Sequence, residues 1–391
     1  MTEAVLIGSL GFIFYTYFGY PVLLWLWGRR AKAETFDPAY RPFVTVVISA
    51  INEEACIGET VASILACDYP PQALEVVVVS DASTDRTDAI VASFAPPRVR
   101  LFRQKTRSGQ ARNLFWGAQE ARGDVVIMAD ASGRFFPDTV RRLARHFIDP
   151  RLGAVSGYKL IRPTGTAVAS ADGLYARYDR TLRFLESRAG GSWVGCEGGL
   201  FAIRKPLFTL DFPLNVAPDN ATCYLLYEKG YQHRFDPEAR LIESPSLNLQ
   251  TELRRKIRVI VLQLHGLFVF RRLWAPWRHP AFFFQNVSHK LFRWLVPFAL
   301  LALLISSALS SHAWARALLA LQVLFYALAA AGSAWGNQRK APKLLCIPAY
   351  FTAMNLAGLL AWGMLWRDYS FWSPPGRDEK KVPDPASGGN G

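Results

Sequence analysis

The sequence predicts an α/β domain, a mostly parallel sheet with helices on both faces, joined to transmembrane α-helices. Two observations predict it: short β-branched runs alternate with helical periodicities between residues 44 and 130, and long apolar runs lie on either side of the polar middle of the chain. Composition agrees, since 51% of the 391 residues are hydrophobic and 13% aromatic, enough for one sizeable domain plus membrane segments. A net charge of +14 and a pI near 9.7 favour an anionic partner, whether nucleic acid, lipid headgroups or a phosphorylated small molecule. Cysteines 56, 67, 196, 223 and 346 form no CxxC pair, which argues against a zinc knuckle or a disulfide framework and suits a reducing, cytoplasmic setting.

Residues 5–27 (VLIGSLGFIFYTYFGYPVLLWLW) carry no charge and stop just before Arg29 and Arg30. At about 1.5 Å per residue the run can cross roughly 30 Å of hydrocarbon. It lacks a basic start and a small-x-small cleavage site, so it reads as a retained transmembrane helix rather than a signal peptide. Four buried-looking strands follow: VTVVISA at 44–50, LEVVVVSD at 74–81, VRLF at 99–102 and DVVIMAD at 124–130. Helical patterns at 53–67, 85–94 and 109–121 separate them, and another covers 137–148.

Sheets of this kind bind ligands beyond the carboxyl ends of their strands. That rule singles out Asn52, Glu53 and Glu54 after the first strand, Asp81 after the second and Asp130 after the fourth. Acidic strand ends around one crevice suggest a nucleotide whose phosphates are held through a divalent cation. The first strand runs into SAINEEACIG, with neither GxGxxG nor GxxxxGK[ST], which argues against dinucleotide and P-loop readings. Phosphates then need a metal or basic side chains, and Lys105, Arg107 and Arg112 supply the latter.

Beyond residue 250, Ile257, Ile260, Val261, Leu264, Leu267 and Phe268 recur at helical spacing opposite Arg254, Arg255, Arg258 and His265. Arg271, Arg272 and Arg278 with Trp274 and Trp277 extend the basic and aromatic character, so residues 251–293 read as amphipathic interfacial helices. The same mixture could bind RNA, but apolar spans on both sides and the lack of an RNA-binding motif argue against nucleic acid. Residues 294–366 hold three further transmembrane segments, at 294–310, 314–334 and 344–366, and residues 374–391 read as a disordered tail. Arg29, Arg30 and Lys32, together with Arg339, Lys340 and Lys343, place the 38–250 domain in the cytoplasm. Four spans put both termini outside, whereas Arg367, Arg377, Lys380 and Lys381 favour an internal tail; a re-entrant or interfacial C-terminal segment would reconcile the two.

Seven stretches in order carry a family resemblance: VVISAINEE (46–54), VVVVSDASTD (76–85), SGQARN (108–113), ARGDVVIMADAS (121–132), GCEGGLFAIRK (195–205), PDNATCYLLYEKGY (218–231) and ELRRKIRV (252–259). Together they resemble the family 2 glycosyltransferases, especially the membrane-embedded synthases related to hyaluronan, chitin and cellulose synthases. The resemblance implies a GT-A, Rossmann-like fold and transfer of a sugar, with inversion, from a nucleotide sugar, a UDP-sugar being favoured. The implied acceptor is a growing polysaccharide or a polyprenyl-linked saccharide, in cell-surface or exopolysaccharide synthesis at a bacterial inner membrane. The implied partners are the lipid bilayer and other proteins of polysaccharide synthesis and export.

By the same resemblance Asp81, in SDASTD, and Glu53 meet the nucleoside, with Asn52 beside them; Ser80 replaces an acid. Asp130 matches the first carboxylate of a DXD motif that binds Mg²⁺ or Mn²⁺ and the diphosphate, and Ser132 replaces the second, a poorer ligand. Asp219 matches the catalytic base, and Gly198 and Gly199 leave room for an acceptor sugar. Arg258 matches the arginine of a QxxRW motif over the nucleotide, while Arg255 and Val259 replace its glutamine and tryptophan. Those replacements keep two alternatives open, a non-processive transferase and a non-catalytic nucleotide-sugar-binding subunit. A transporter is disfavoured by the scarcity of ionisable residues in the spans.

Overall fold

A computed structural model describes residues 1–29, 35–94, 96–161, 167–243, 249–335 and 342–367. Lys32, Arg339, Lys340 and the 374–391 tail lie outside the described residues. The centre is an eight-stranded mixed sheet: β1 Val44–Ala50, β2 Leu74–Ser80, β3 Val99–Arg103, β4 Val125–Asp130, β5 Arg134–Phe135, β6 Leu152–Ile161, β7 Leu200–Arg204 and β8 Gln232–Glu243. Its order is β3-β2-β1-β4-β7-β6-β8-β5. The first four strands pair in parallel, β7 runs antiparallel between β4 and β6, and β8 is parallel to β6.

Alternation within each strand explains why the sheet is covered twice. Val44, Val46 and Ile48 point into one apolar layer with Ile57, Val61 and Ile64 of the helix Ile57–Leu65. Val47, Val77 and Val126 point into the other, with Ala118 of the helix Gln110–Glu120. Burying each such valine or isoleucine is worth about 1.5–3 kcal/mol, so a one-residue slip in register would be strongly resisted.

Among the described residues four helices are long and apolar enough to cross a membrane: Thr2–Gly28, Pro280–Leu309, Ala313–Trp335 and Leu344–Gly363. The second starts well before residue 294, where the apolar run opens, because a π-helical turn at Asn286–Leu291 carries the helix through His289 and Lys290 without a break. A second π turn, Tyr15–Gly19, interrupts the first helix. The two turns face each other, with Tyr15 Oη and Ser288 Oγ 2.9 Å apart. The basic helix Leu249–Val269 packs its Ile257 and Val261 against Ala357 and Ala361 of the last apolar helix.

Candidate active site

The ends of β1, β2 and β4 open onto one cavity of about 730 Å³, lined by Glu53, Asp81, Asp130, Ser132, Gly198, Gly199, Asp219 and Arg258 among others. Most of the residues singled out in the sequence therefore meet in one place. Asn52 and Arg107 do not line it. Asn52 takes a left-handed backbone, φ 51°, and its Oδ1 accepts the Thr84 N–H at 2.7 Å, so its side chain closes the β2 turn instead.

Asp81 holds the floor. Its Oδ1 accepts the Ser108 N–H at 2.7 Å and its Oδ2 the Gly109 N–H at 3.2 Å. This pins the loop that starts the helix Gln110–Glu120, whose first side chain, Gln110, donates to Asp130 Oδ1 at 3.1 Å. Glu53 is held through its backbone N–H, which donates to Thr87 Oγ1 at 2.7 Å.

Asp130 ends β4 opposite the start of β7, and the antiparallel pairing brings Gly199 against it. Gly199 has φ +87°, and a Cβ there would collide with the Asp130 carboxylate. The absent side chain thus makes room for Asp130, whereas Gly198 lies over Asp219, with 3.3 Å between the place of its Cβ and Asp219 Oδ2. A Gly199→Ala chain should be less stable by about 1–3 kcal/mol, from the left-handed backbone and the displaced carboxylate. An unchanged melting temperature would contradict this.

Two residues missed in the sequence, Lys159 and Glu243, lie beside Asp130 and Ser132. Lys159 of β6 places Nζ 3.5 Å from Asp130 Oδ2 and 3.3 Å from Glu243 Oε2, and Ser132 Oγ donates to Glu243 Oε1 at 3.4 Å. Glu243 arrives because β5 pairs with the end of β8, setting Arg134 beside Ile242. Burial raises the Asp130 carboxyl above the usual carboxylate range, against the pull of Lys159; burial likewise opposes ionisation of Glu243, but Lys159 and Arg255 hold it below. Among the described residues no group of three His, Cys, Asp or Glu side chains converges. Two carboxylates and a hydroxyl nevertheless fit a hard dication that takes its remaining ligands from water and phosphate. A second positive charge beside buried Asp130 would favour the ionised form that such binding needs.

Asp219 lies in the first turn of the helix Pro218–Glu228, after Ala217 at the N-cap position. Its Oδ1 accepts the Asn220 N–H at 2.9 Å, leaving Oδ2 on the Gly198 side. Arg258, from the helix Leu249–Val269, lines the same space; burial and Arg255 lower it to about 10, so it stays protonated at neutral pH. His233 is buried between Ser156 Oγ at 2.8 Å and Ser192 O at 2.5 Å, a packing role.

Residues 45–208 match the model of "Glycosyl transferase family 2". Over 92% of its length the chain is similar to a mannosyltransferase of Pyrobaculum calidifontis solved with GDP-mannose and Mn²⁺, at 27% identity, a TM-score of 0.69 and 99% coverage of that chain. A beta-monoglucosyldiacylglycerol synthase of Synechocystis is 34% identical over 124 residues, which are 31% of this chain and 26% of that protein. A poly-beta-1,6-N-acetyl-D-glucosamine synthase of Staphylococcus aureus is 26% identical over 204 residues, 50% of this chain and 48% of that protein. This chain spans half or less of the length of these curated relatives. The mixed sheet with its four-stranded parallel half is a GT-A fold.

Proposed function

We propose, on the premise that residues 45–208 are a family 2 glycosyltransferase domain, that this chain is a membrane-bound inverting transferase moving one sugar from a nucleotide sugar to a lipid-linked or polymeric acceptor. The observation that carries the reading is the single cavity shared by Glu53, Asp81, Asp130 and Asp219. Glu53 and Asp81 border the nucleoside, and Arg258 faces the diphosphate. Asp130, Glu243 and Ser132 would hold a Mg²⁺ or Mn²⁺ ion, which when bound offsets diphosphate charge. Asp219 Oδ2 accepts the proton of the acceptor hydroxyl while that oxygen bonds to the anomeric carbon and the bond from that carbon to the diphosphate breaks. Attack from the face opposite the leaving group inverts the centre.

The synthase resemblance favours a UDP-sugar; the mannosyltransferase similar over nearly the whole chain was solved with GDP-mannose and Mn²⁺. Val259, which lines the cavity where the synthase motif has tryptophan, supports single addition over processive extension. The four apolar helices support multi-pass residence in a membrane with the sheet domain on the cytoplasmic side. Incubating the full chain with UDP-, GDP- and dTDP-sugars plus Mg²⁺ or Mn²⁺ should release one nucleoside diphosphate and give a product one sugar larger. Binding without release would instead make the protein a non-catalytic subunit.

A further inference from the structure

The cavity continues past Asp219 to the apolar helices, where Tyr17, Lys290, Trp294, Met354 and Gly358 form its wall. On the same wall lies a largely buried charge cluster of Asp179, Arg183, His289 and Arg293, backed by Glu186. Asp179 Oδ2 accepts from Arg183 Nε at 2.8 Å, and its Oδ1 contacts Arg293 Nη1 and His289 Nε2, both at 3.1 Å. Glu186 Oε1 meets Tyr20 Oη at 2.7 Å and His289 Nδ1 at 2.6 Å, and its Oε2 accepts from Ser192 Oγ at 3.1 Å. Burial works against both carboxylates, yet Arg183 and His289 hold Asp179 and Glu186 below their usual range, so both are ionised. Arg183 Nε also lies 3.9 Å from Glu197 Oε2, and among the described residues Arg293 Nε and Nη2 have no acceptor.

Lys290 is the lysine of this wall. It sits on the π turn Asn286–Leu291, is 9% exposed, and borders the same cavity as Asp219. Among the described residues its ammonium has no hydrogen-bond acceptor and no ion pair; Asp179, held by Arg183 and Arg293, and Asp219 act on it only from beyond ion-pair distance. An unpaired ammonium that deep is costly unless a ligand supplies the counter-charge. π turns commonly interrupt helices where function needs a side chain re-aimed.

Resting on the transferase reading, we propose that Lys290 binds the phosphate of a lipid-borne acceptor, its chain lying against the apolar helices and its sugar-accepting end at Asp219. Phosphate is the anion that a cytoplasm-side cation between apolar helices suits. A lipid is favoured over a soluble phosphate because Trp294, Met354 and Gly358 on this wall belong to helices long enough to cross a bilayer.

The test uses the full chain in phosphatidylcholine nanodiscs, measuring retention of undecaprenyl phosphate and of undecaprenol, with inorganic phosphate as competitor. The wild type should hold the phosphorylated lipid at least about 10-fold more tightly than the alcohol, the worth of one charge-assisted hydrogen bond. Lys290→Met should erase most of that preference, and Lys290→Arg should keep it, which also serves as the folding control. Equal retention by wild type and Lys290→Met, or displacement of the lipid by millimolar inorganic phosphate, would overturn the site. UDP and GDP binding with Mn²⁺ is read on the same discs. Loss of both in the wild type refutes the transferase reading, whereas intact nucleotide binding with phosphate-indifferent lipid retention refutes only Lys290.

Discussion

Asp219→Asn slows sugar transfer by about 10²–10⁴-fold, the usual contribution of a positioned general base, equivalent to about 3–5 kcal/mol of barrier at 1.36 kcal/mol per decade. Nucleotide affinity stays close to that of the wild type, because the amide keeps the size of the carboxylate and Oδ1 keeps the Asn220 N–H. The helix survives too, since Asp219 is not its N-cap. Single-turnover transfer alongside nucleoside diphosphate titration separates the two quantities. Near-normal turnover in the variant would remove Asp219 from the chemistry and return it to a place in a helix first turn.

Asp130→Ala acts on binding instead. Removing an outer-sphere partner of a metal typically costs 10–100-fold in affinity, so losing one of only two carboxylates at this position should cost at least about 100-fold in Mn²⁺-dependent nucleotide binding. Calorimetry with and without Mn²⁺ measures the difference. Equal affinities under both conditions, in wild type and variant alike, would show that Lys159 and Arg258 carry the phosphates without a metal. Stability should move little, because the variant leaves Gly199 unobstructed and frees Lys159 to pair with Glu243 alone.

The parallel half of the sheet was legible because its strands are buried on both faces and read as valine- and isoleucine-rich runs, with Asp81 just past the second and Asp130 ending the fourth. The other half was not. β8 reads QHRFDPEARLIE, whose polar residues hide a strand that delivers Glu243 to Ser132 across more than a hundred positions. The helix Ala167–Arg188 went unread because its charges interrupt the apolar periodicity, and those charges find partners within the helix, Arg183 on Asp179, and on the second apolar helix, through His289 and Arg293. The helix that carries the apolar run from 294 begins as early as Pro280: His289, Lys290 and Arg293 interrupt the apolar pattern, yet Asp179 and Glu186 meet two of them. Of the site residues, the strand-end acids Asp81 and Asp130 followed from topology. Asp219, Gly198 and Gly199 came only through resemblance, since a carboxylate in a helix first turn has several ordinary uses.

The clasp of Tyr20, Glu186, His289, Asp179 and Arg293 has a mechanical consequence. It rivets the sheet domain to the first two apolar helices through buried ionic contacts, and stripping one partner from such a pair costs about 3–5 kcal/mol. Rocking the domain would unseat several at once. The chamber is therefore a bench bolted at one height on the apolar helices, and on the transferase reading the substrate, not the protein, has to travel to reach it.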